Sequence, residues 1–188
     1  MKIASLLFLS LIPGNDILQQ FSLEQDKLKV LLKDQNIKWE DPRQFHLTIR
    51  FLGDIDEDKV EPLSDTLGRL KFDFDTIEFN TDKIDFFPNR RFPNIIFAGL
   101  KEKGNNIETL VGFIDKIIFN FGIKPDKKFI PHITFGRFNR NKRRKIGSDL
   151  VFELTPLKIQ FNSFSLMQSK LLPTGSEYEE ISTFKFNT

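Results

Sequence analysis

The only two histidines of the chain lie in two copies of one short pattern, in which a histidine is followed two residues later by a threonine. The copies are His46-Leu-Thr48-Ile and His132-Ile-Thr134-Phe. Because side chains alternate across a β-strand, the histidine and threonine of each copy would lie on the same face. The apolar residues beside them would point the other way, into a core. The pattern therefore predicts two strands that each present one imidazole and one hydroxyl to a common surface.

Two imidazoles beside two hydroxyls are suited to proton transfer at a phosphate. An imidazole titrates at about pH 6.5, so near neutrality one ring can be protonated while the other is not. Concerted general acid–base catalysis has this requirement, and threonine hydroxyls can donate hydrogen bonds to phosphate oxygens. The set is therefore suited to hydrolysis of a strained phosphodiester without a metal. The alternative, that each histidine is an ordinary core or surface residue, explains a single copy better than it explains two.

The composition is that of an ordinary globular protein. The 188 residues are 39% hydrophobic and 29% charged, which fits one domain or two tightly joined lobes over residues 1–188. Phenylalanine, with 22 copies against one tryptophan and one tyrosine, is expected to fill the core. Cysteine is absent, which excludes disulfides and thiol nucleophiles and fits a cytoplasmic protein. The net charge of +2 is too small by itself to indicate a nucleic-acid-binding protein.

The first 13 residues, MKIASLLFLSLIP, allow two interpretations. A lysine followed by an apolar run is the outline of a signal peptide, but no clear cleavage site with small residues follows. A buried first strand that ends at Pro13-Gly14 explains the same residues, and we favour it. The run is too short to span a bilayer, so no membrane association is expected.

The remaining pattern predicts helices and strands in a repeated order. We expect helices after Pro13-Gly14, near residues 57–70 and near 106–121. We expect strands at 37–39, 45–52, 77–87, 94–100, 130–135, 157–172 and 178–186. In 157–172 the apolar parity shifts between Phe161 and Phe164, which suggests one long strand with a bulge, or a hairpin. Because a helix followed by a motif strand occurs twice, we predict an α+β fold that is bilobal and duplicated. Two mostly antiparallel sheets would line a central cleft, with helices packed outside.

Several basic residues are candidates for contact with a phosphate-bearing ligand. Arg50 is four residues after His46, so strict alternation places it on the same face; the alternative is a strand-end arginine that reaches solvent. A basic cluster without an intervening acid follows the second motif and comprises Arg137, Arg140, Lys142, Arg143, Arg144 and Lys145. Such a cluster is usually a solvated loop, but beside a phosphate site we expect it to grip a polyanionic backbone, with Arg143 and Arg144 as the candidates.

The two motifs with their flanks resemble those of the two-histidine (2H) phosphoesterases. The matching segments are His46-Leu-Thr-Ile-Arg-Phe-Leu-Gly53 and Pro131-His-Ile-Thr-Phe-Gly-Arg137. Within that superfamily the chain most resembles the bacterial and archaeal RNA 2',3'-cyclic phosphodiesterases of the LigT/ThpR type. Further segments fit the family outline, so the resemblance covers nearly the whole chain: Ile37-Lys-Trp39, Phe92-Pro-Asn-Ile-Ile-Phe-Ala-Gly99, and 166–178 with Ser169, Gly175 and Tyr178.

The resemblance implies a site and a reaction. The active site would lie in the central cleft of a bilobal monomer, without metal or organic cofactor, and would take RNA ending in a 2',3'-cyclic phosphate or small nucleotide phosphodiesters. His46 would be the general acid that protonates the departing ribose 3'-oxygen, and His132 the base that activates water, leaving a 2'-phosphate. Thr48 and Thr134 would hold the phosphate. Arg137 matches the arginine that follows the family's second motif, although strict alternation puts it opposite His132 unless the strand bends or ends there.

Two alternatives stay open at this point. The same catalytic set serves a two-histidine esterase for another small phosphodiester, such as a cyclic nucleotide or a 2'–5' linkage, including reversible 2'–5' RNA ligation. A non-catalytic module that binds RNA ends belongs to a different class. The presence of both complete motifs argues against such a module, because a binder need not retain both an acid and a base.

Overall fold

The computed structural model of the protein describes residues 4–125, 128–142, 144–172 and 175–186. Within these ranges the chain forms nine strands: β1 (Ala4–Leu11), β2 (Ile37–Trp39), β3 (Leu47–Asp56), β4 (Ile77–Phe87), β5 (Ile95–Glu102), β6 (His132–Phe138), β7 (Lys158–Phe161), β8 (Ser163–Leu172) and β9 (Gly175–Lys185). The same ranges contain three α-helices and one 3₁₀ turn: α1 (Asn15–Leu31), α2 (Glu57–Gly68), α3 (Asn106–Asn120) and the turn Pro42–Gln44.

The strands form two antiparallel sheets in the described part of the chain. Sheet 1 has the order β3-β1-β8-β9, and sheet 2 has the order β2-β6-β5-β4-β7. Every strand pairing among the described residues is antiparallel. The first motif leads into β3 at the edge of sheet 1, while the second motif begins β6 inside sheet 2. The predicted α+β fold, with one motif strand on each of two sheets, is confirmed.

The apolar run at the beginning of the chain forms an interior strand. β1 lies between β3 and β8, and its residues Leu7, Leu9 and Leu11 are fully buried. The prediction of a buried first strand is therefore confirmed. Among the helices that the described ranges contain, none has the length and apolar character needed to cross a membrane.

The segment 157–172 differs from the prediction, because it is neither one bulged strand nor a hairpin. β7 pairs with β4 in sheet 2, whereas β8 pairs with β1 and β9 in sheet 1. The chain crosses from one sheet to the other at Asn162, whose carbonyl accepts a hydrogen bond from the Phe186 N–H at 3.0 Å. The parity shift between Phe161 and Phe164 marks this change of partner. Apolar spacing alone does not distinguish a change of sheet from a bulge.

Aromatic packing anchors both motifs to the first helix. Phe21 of α1 contacts the rings of Phe45 and Phe135, with centroids 6.5 and 5.7 Å away, and Phe45 and Phe135 are themselves 5.2 Å apart. All three are buried, which stabilises the fold by about 2 kcal/mol per ring. Phe45 directly precedes His46 and Phe135 directly follows Thr134. Burial of these rings therefore fixes the backbone from which the motif side chains project.

Candidate active site

A cavity of about 280 Å³ lies where β3 of sheet 1 approaches β6 of sheet 2. Both histidines and both threonines of the motifs line it. The other lining residues come from both sheets, from the 3₁₀ turn and from the connection between β2 and that turn, and they include Phe8, Glu40, Gln44, Phe51, Ile95, Arg137, Ser169, Ser176 and Tyr178. The structure thus brings the two motifs together at one cavity, as the sequence predicted.

The two imidazoles are held in the same way. Nδ1 of His46 lies 2.7 Å from the carbonyl oxygen of Gln44, and Nδ1 of His132 lies 2.7 Å from that of Ile130. In each case the carbonyl belongs to the residue two positions earlier. Because a carbonyl oxygen can only accept, Nδ1 carries the hydrogen in both rings. The Nε2 atom of each neutral ring is therefore left as the acceptor, and it is the atom through which a proton can be taken or given.

Each imidazole lies between two aromatic side chains. The ring centroids are 5.0 to 5.2 Å apart, with Phe8 and Tyr178 beside His46, and Phe87 and Phe97 beside His132. Such apolar neighbours leave each ring little freedom to turn about its side-chain bonds. The carbonyl fixes one edge of the ring and the aromatic side chains fix its plane.

Burial lowers the pKa of both histidines below the ordinary value. For His46 the loss of solvation is the main cause, opposed by the bond to Gln44 and by the Glu40 carboxylate, with Arg137 and His132 adding to the decrease. For His132 burial again lowers the pKa, Arg137 acts in the same direction, and the bond to Ile130 opposes them. The surroundings of the two rings therefore favour their neutral forms.

The two motif strands share an irregularity directly after the threonine. In β3 the register passes from Thr48 opposite Ser10 to Arg50 opposite Leu9, which leaves Ile49 as an extra residue. In β6 it passes from Thr134 opposite Phe97 to Gly136 opposite Ile96, which leaves Phe135 extra. Each irregularity is a β-bulge, and a bulge reverses the parity of the residues that follow it. The cleft face therefore carries the residue five positions after each histidine, which is Phe51 in β3 and Arg137 in β6.

The expectation that Arg50 faces the cleft is wrong for this reason. The bulge at Ile49 turns Arg50 to the opposite face, where its Nε and Nη2 donate to the Asp115 carboxylate at 2.7 and 2.9 Å. Only 10% of the Arg50 side chain is exposed. Arg50 thus joins β3 to α3, and its place on the cleft face is taken by Phe51, which is 69% exposed and lines the cavity.

The same geometry resolves the conflict over Arg137. Because of the bulge at Phe135, Arg137 lies on the face of Thr134 and lines the cavity. Its Nε donates to Oε1 of Glu40 at 2.8 Å, and its guanidinium is near enough to the Tyr178 hydroxyl to lower the pKa of that group. Burial raises the pKa of Tyr178, with a further increase from Glu40, so this hydroxyl stays protonated and can act as a donor.

Glu40 and Gln25 are two site-forming residues that the sequence reasoning missed. The Glu40 N–H donates to the Phe135 carbonyl at 2.9 Å, and the buried Gln25 donates from Nε2 to the carbonyls of Glu40 and Phe135 at 2.8 and 3.0 Å. These bonds tie α1, the end of β2 and the β6 bulge together. The one signal in the sequence is a polar residue at a buried position of an amphipathic helix, which is Gln25. In the sequence alone, nothing distinguishes Glu40 from an acidic residue on the surface.

A glycine allows β2 to lie close to the bulge in β6. A Cβ atom on Gly136 would lie 2.7 Å from Cγ2 of Ile37 and 3.1 Å from Cε3 of Trp39. The 2.7 Å contact is shorter than real Cβ contacts and the 3.1 Å contact is tighter than most of them, so a larger residue would force Ile37 and Trp39 of β2 to shift. The absence of a side chain at Gly136 therefore sets the position of the segment that carries Glu40.

The described residues of the basic cluster other than Arg137 do not line this cavity. Arg144 is exposed, and its backbone N–H donates to Oε1 of Gln35 at 3.3 Å. It lines a separate, open groove, called the basic groove below because its cations outnumber its one acid, together with Lys33, Asp34, Gln35, Asn36, Asn141 and Lys142. Arg143 lies outside the described residues. The structure therefore places Arg137 in the cavity with the histidines, whereas Arg144 lies in a different groove on the surface.

The cavity thus combines groups for proton transfer with groups for holding an anion. The Nε2 atoms of His46 and His132 can exchange protons, while the hydroxyls of Thr48 and Thr134 and the Arg137 guanidinium can donate to anionic oxygens. Over the described ranges, no three His, Cys, Asp or Glu side chains converge closely enough to hold a metal ion. An antiparallel two-sheet fold with one His-x-Thr strand from each sheet at a shared cavity defines the class of two-histidine phosphoesterases.

Comparison with known proteins agrees with this class. The model of the LigT-like phosphoesterase family matches residues 12–97 and 99–178, and the chain belongs to this family. The resemblance drawn from the motifs is therefore confirmed.

Curated relatives match over most of their length. The chain is 26% identical to an RNA 2',3'-cyclic phosphodiesterase of Methanothermobacter thermautotrophicus, covering 98% of this chain and 100% of the relative. It is 28% identical to a protein of the same name from Archaeoglobus fulgidus, covering 86% and 93%. The match to the Bacillus subtilis protein of that name is 29% identical and covers 79% of each chain.

Solved structures share the fold. A crystal structure of a Thermus thermophilus protein superposes with a TM-score of 0.76 at 25% identity, covering 96% of this chain and 97% of the other. The structure of E. coli LigT without ligand gives a TM-score of 0.77 at 17% identity, covering 98% and 99%. The fold of this chain is therefore shared with both structures.

Proposed function

We propose that the protein hydrolyses 2',3'-cyclic phosphodiester ends of RNA to 2'-phosphomonoesters by acid–base catalysis between its two histidines, without a metal ion. The observation that carries this proposal is the matched pair of imidazoles, one from each sheet. Each is fixed by an Nδ1 bond to a carbonyl and lines the same cavity. Relatives that cover nearly the full length of this chain and bear the name RNA 2',3'-cyclic phosphodiesterase support this substrate.

In the proposed reaction His132 accepts a proton at Nε2 from a water molecule, whose oxygen attacks the phosphorus. The bond between phosphorus and the ribose 3'-oxygen breaks, and protonated His46 gives its Nε2 proton to that oxygen. The products are a free 3'-hydroxyl and a 2'-phosphate. The net proton transfer runs from water to the leaving oxygen, after which the two rings exchange protons with solvent to return to their starting states.

The remaining cleft residues stabilise charge at the phosphate. Thr48 and Thr134 donate to its non-bridging oxygens, and Arg137 offers charge-assisted bonds that strengthen as negative charge builds in the transition state. Phe51, exposed at the edge of the cavity, presents a ring face on which a base can stack. Arg50 has no part in this set, because its guanidinium is paired with Asp115.

Longer RNA would extend from the cleft toward the basic groove. We propose that Arg144 and Lys142, which line that groove, contact backbone phosphates, and that Arg143 belongs to the same set. We further propose that the protein acts in the cytoplasm as a monomer with a single bilobal domain.

The test is an assay on an RNA oligonucleotide that ends in a 2',3'-cyclic phosphate, with EDTA present and the 2'- and 3'-phosphate products resolved. We expect conversion to the 2'-phosphate at a rate that EDTA does not change. His46→Ala and His132→Ala should each lower the rate by about 10²- to 10⁴-fold. Circular dichroism and thermal unfolding of both variants control for misfolding. A 3'-phosphate product, or near-normal turnover by a folded histidine variant, would contradict the proposal.

A further inference from the structure

The candidate site contains a carboxylate that an anion-binding cleft would not be expected to keep. Among the described residues that line the cavity, Glu40 is the one acid, and 21% of its side chain is exposed. A negative charge beside a phosphate costs free energy, because like charges repel and the partly buried cleft screens them weakly. The presence of Glu40 therefore needs a physical reason.

The fold holds Glu40 in place at three points. Its N–H donates to the Phe135 carbonyl at 2.9 Å, its carbonyl accepts from Gln25 at 2.8 Å, and its Oε1 accepts from Arg137 Nε at 2.8 Å. The bond to Arg137 uses one of the five N–H donors of the guanidinium. The carboxylate is therefore fixed next to the cation that would bind the phosphate.

The charge of Glu40 acts on several groups that line the cavity. It opposes the decrease that burial causes in the pKa of His46, and it adds to the increase that burial causes in the pKa of Tyr178. Together with the ion pair to Arg137, this places three functional groups of the cavity within its field. A ligand held among those groups is exposed to the same field.

We infer that Glu40 is a specificity residue that makes the cleft prefer a phosphodiester, with one negative charge, to a phosphomonoester, with two. Repulsion by a fixed carboxylate is proportional to the ligand charge, so it costs the dianion about twice as much as the monoanion. A phosphomonoester has its second pKa at about 6 and is mostly dianionic above neutrality. This inference rests on the proposed function, in which the substrate is a diester and the product a monoester. Glu40 would then speed product release and limit product inhibition.

The test removes the charge and keeps the hydrogen bond. Glu40→Gln is nearly isosteric and retains an oxygen that accepts from Arg137. Calorimetric titrations at about pH 8 use adenosine 2'-monophosphate, which is a dianion there, adenosine 2',3'-cyclic phosphate and uncharged adenosine. The three ligands are compared in the His132→Ala background, so that the cyclic phosphate is not consumed. A further titration of the monophosphate uses protein with an intact His132.

We expect Glu40→Gln to bind the monophosphate about tenfold more tightly and the cyclic phosphate about threefold more tightly, with adenosine unchanged. The matched control is Glu78→Gln. Glu78 is 25% exposed and paired with Lys158 at 3.0 Å, but it lies outside the cleft, so this variant should change none of the three affinities.

Equal changes for the two phosphates, or a parallel loss of affinity, would overturn the inference and leave Glu40 only as a support for Arg137. Turnover of cyclic RNA ends does not enter these titrations. If the protein turns over cyclic ends but Glu40→Gln does not change the selectivity between the two phosphates, the proposed function stands and the inference is wrong. If the protein with an intact His132 neither binds the monophosphate nor turns over cyclic ends, both the proposed function and the inference are wrong.

Discussion

Each histidine lies in surroundings that oppose the positive charge it would carry for part of the proposed reaction. Burial lowers the pKa of both rings. The proposed mechanism requires that one of them is protonated when the substrate binds. A group whose pKa is lowered releases its proton at a lower pH than a free imidazole does. The fraction of free enzyme with one protonated ring and one neutral ring therefore has its maximum at a pH below about 6.5.

We accordingly predict a bell-shaped pH profile of kcat/KM centred below about pH 6.5. A bound phosphate anion stabilises an imidazolium, so the profile of kcat should be centred at a higher pH than that of kcat/KM. Initial rates on an oligonucleotide with a cyclic end, measured from about pH 4.5 to about pH 9, separate the two profiles. A kcat/KM maximum above about pH 7 would contradict the lowered pKa values.

At the scale of single residues, the sequence predicts the groups whose chemistry is distinctive and misses those that act through position. His46 and His132 could be found because histidine is rare in this chain and its spacing to threonine repeats. Glu40 could not, because an acid before Asp41-Pro42 has the composition of an ordinary surface turn. Only the fold shows that its carboxylate enters the cleft.

The two bulges are the main structural feature that strict alternation did not predict. Alternation correctly placed Thr48 and Thr134 beside the histidines, and it failed for the residues after the bulges. The apolar spacing nevertheless contains a signal. The first three buried apolar side chains are at 47, 49 and 52 in β3 and at 133, 135 and 138 in β6, so in both strands an interval of two is followed by an interval of three. The same intervals separate the histidine, the threonine and the next cleft residue.

The bulge in β3 leads to a prediction about stability. Arg50→Ala leaves the Asp115 carboxylate without its two bonds and should lower the free energy of unfolding by about 1–3 kcal/mol. The kcat of the folded enzyme should stay within about twofold of wild type, because Arg50 does not reach the cavity. Urea unfolding and initial rates measure the two effects.

Lys101→Ala is the control for this variant, because Lys101 is paired with Asp82 but is 73% exposed. Its removal should change the unfolding free energy by no more than about 0.5 kcal/mol. A large loss of kcat in folded Arg50→Ala, with little loss of stability, would instead indicate that Arg50 contacts the substrate.

At the scale of the whole molecule, the site exists only because two sheets meet. His46 directly precedes β3 of sheet 1, and His132 begins β6 of sheet 2. The contact between the rings of Phe45 and Phe135 joins the two motif segments. The repeated order of helix and motif strand was enough to predict this meeting. The crossing of the chain at Asn162 was not predictable, because which sheet a strand joins depends on contacts distant in sequence.

The basic groove has a consequence for long substrates that small ones should not show. Arg144 and Lys142 line a groove separate from the cavity, so a cyclic mononucleotide held at the histidines would not reach them. A longer RNA that followed the groove would place backbone phosphates there and would release counterions on binding. Each phosphate contact on single-stranded nucleic acid adds about 0.7 to the slope of log affinity against log salt concentration.

We therefore predict that the double variant Lys142→Ala/Arg144→Ala raises KM for an RNA of about ten nucleotides by roughly tenfold and reduces its salt slope by about 1.4, while KM for a cyclic mononucleotide is unchanged. Lys101→Ala/Lys158→Ala removes the same charge elsewhere and is the matched control. Steady-state rates at several salt concentrations give all four values. If long RNA keeps its affinity and slope in the groove variant, the basic cluster is a solvated loop, and recognition is confined to the nucleotide held between the two sheets.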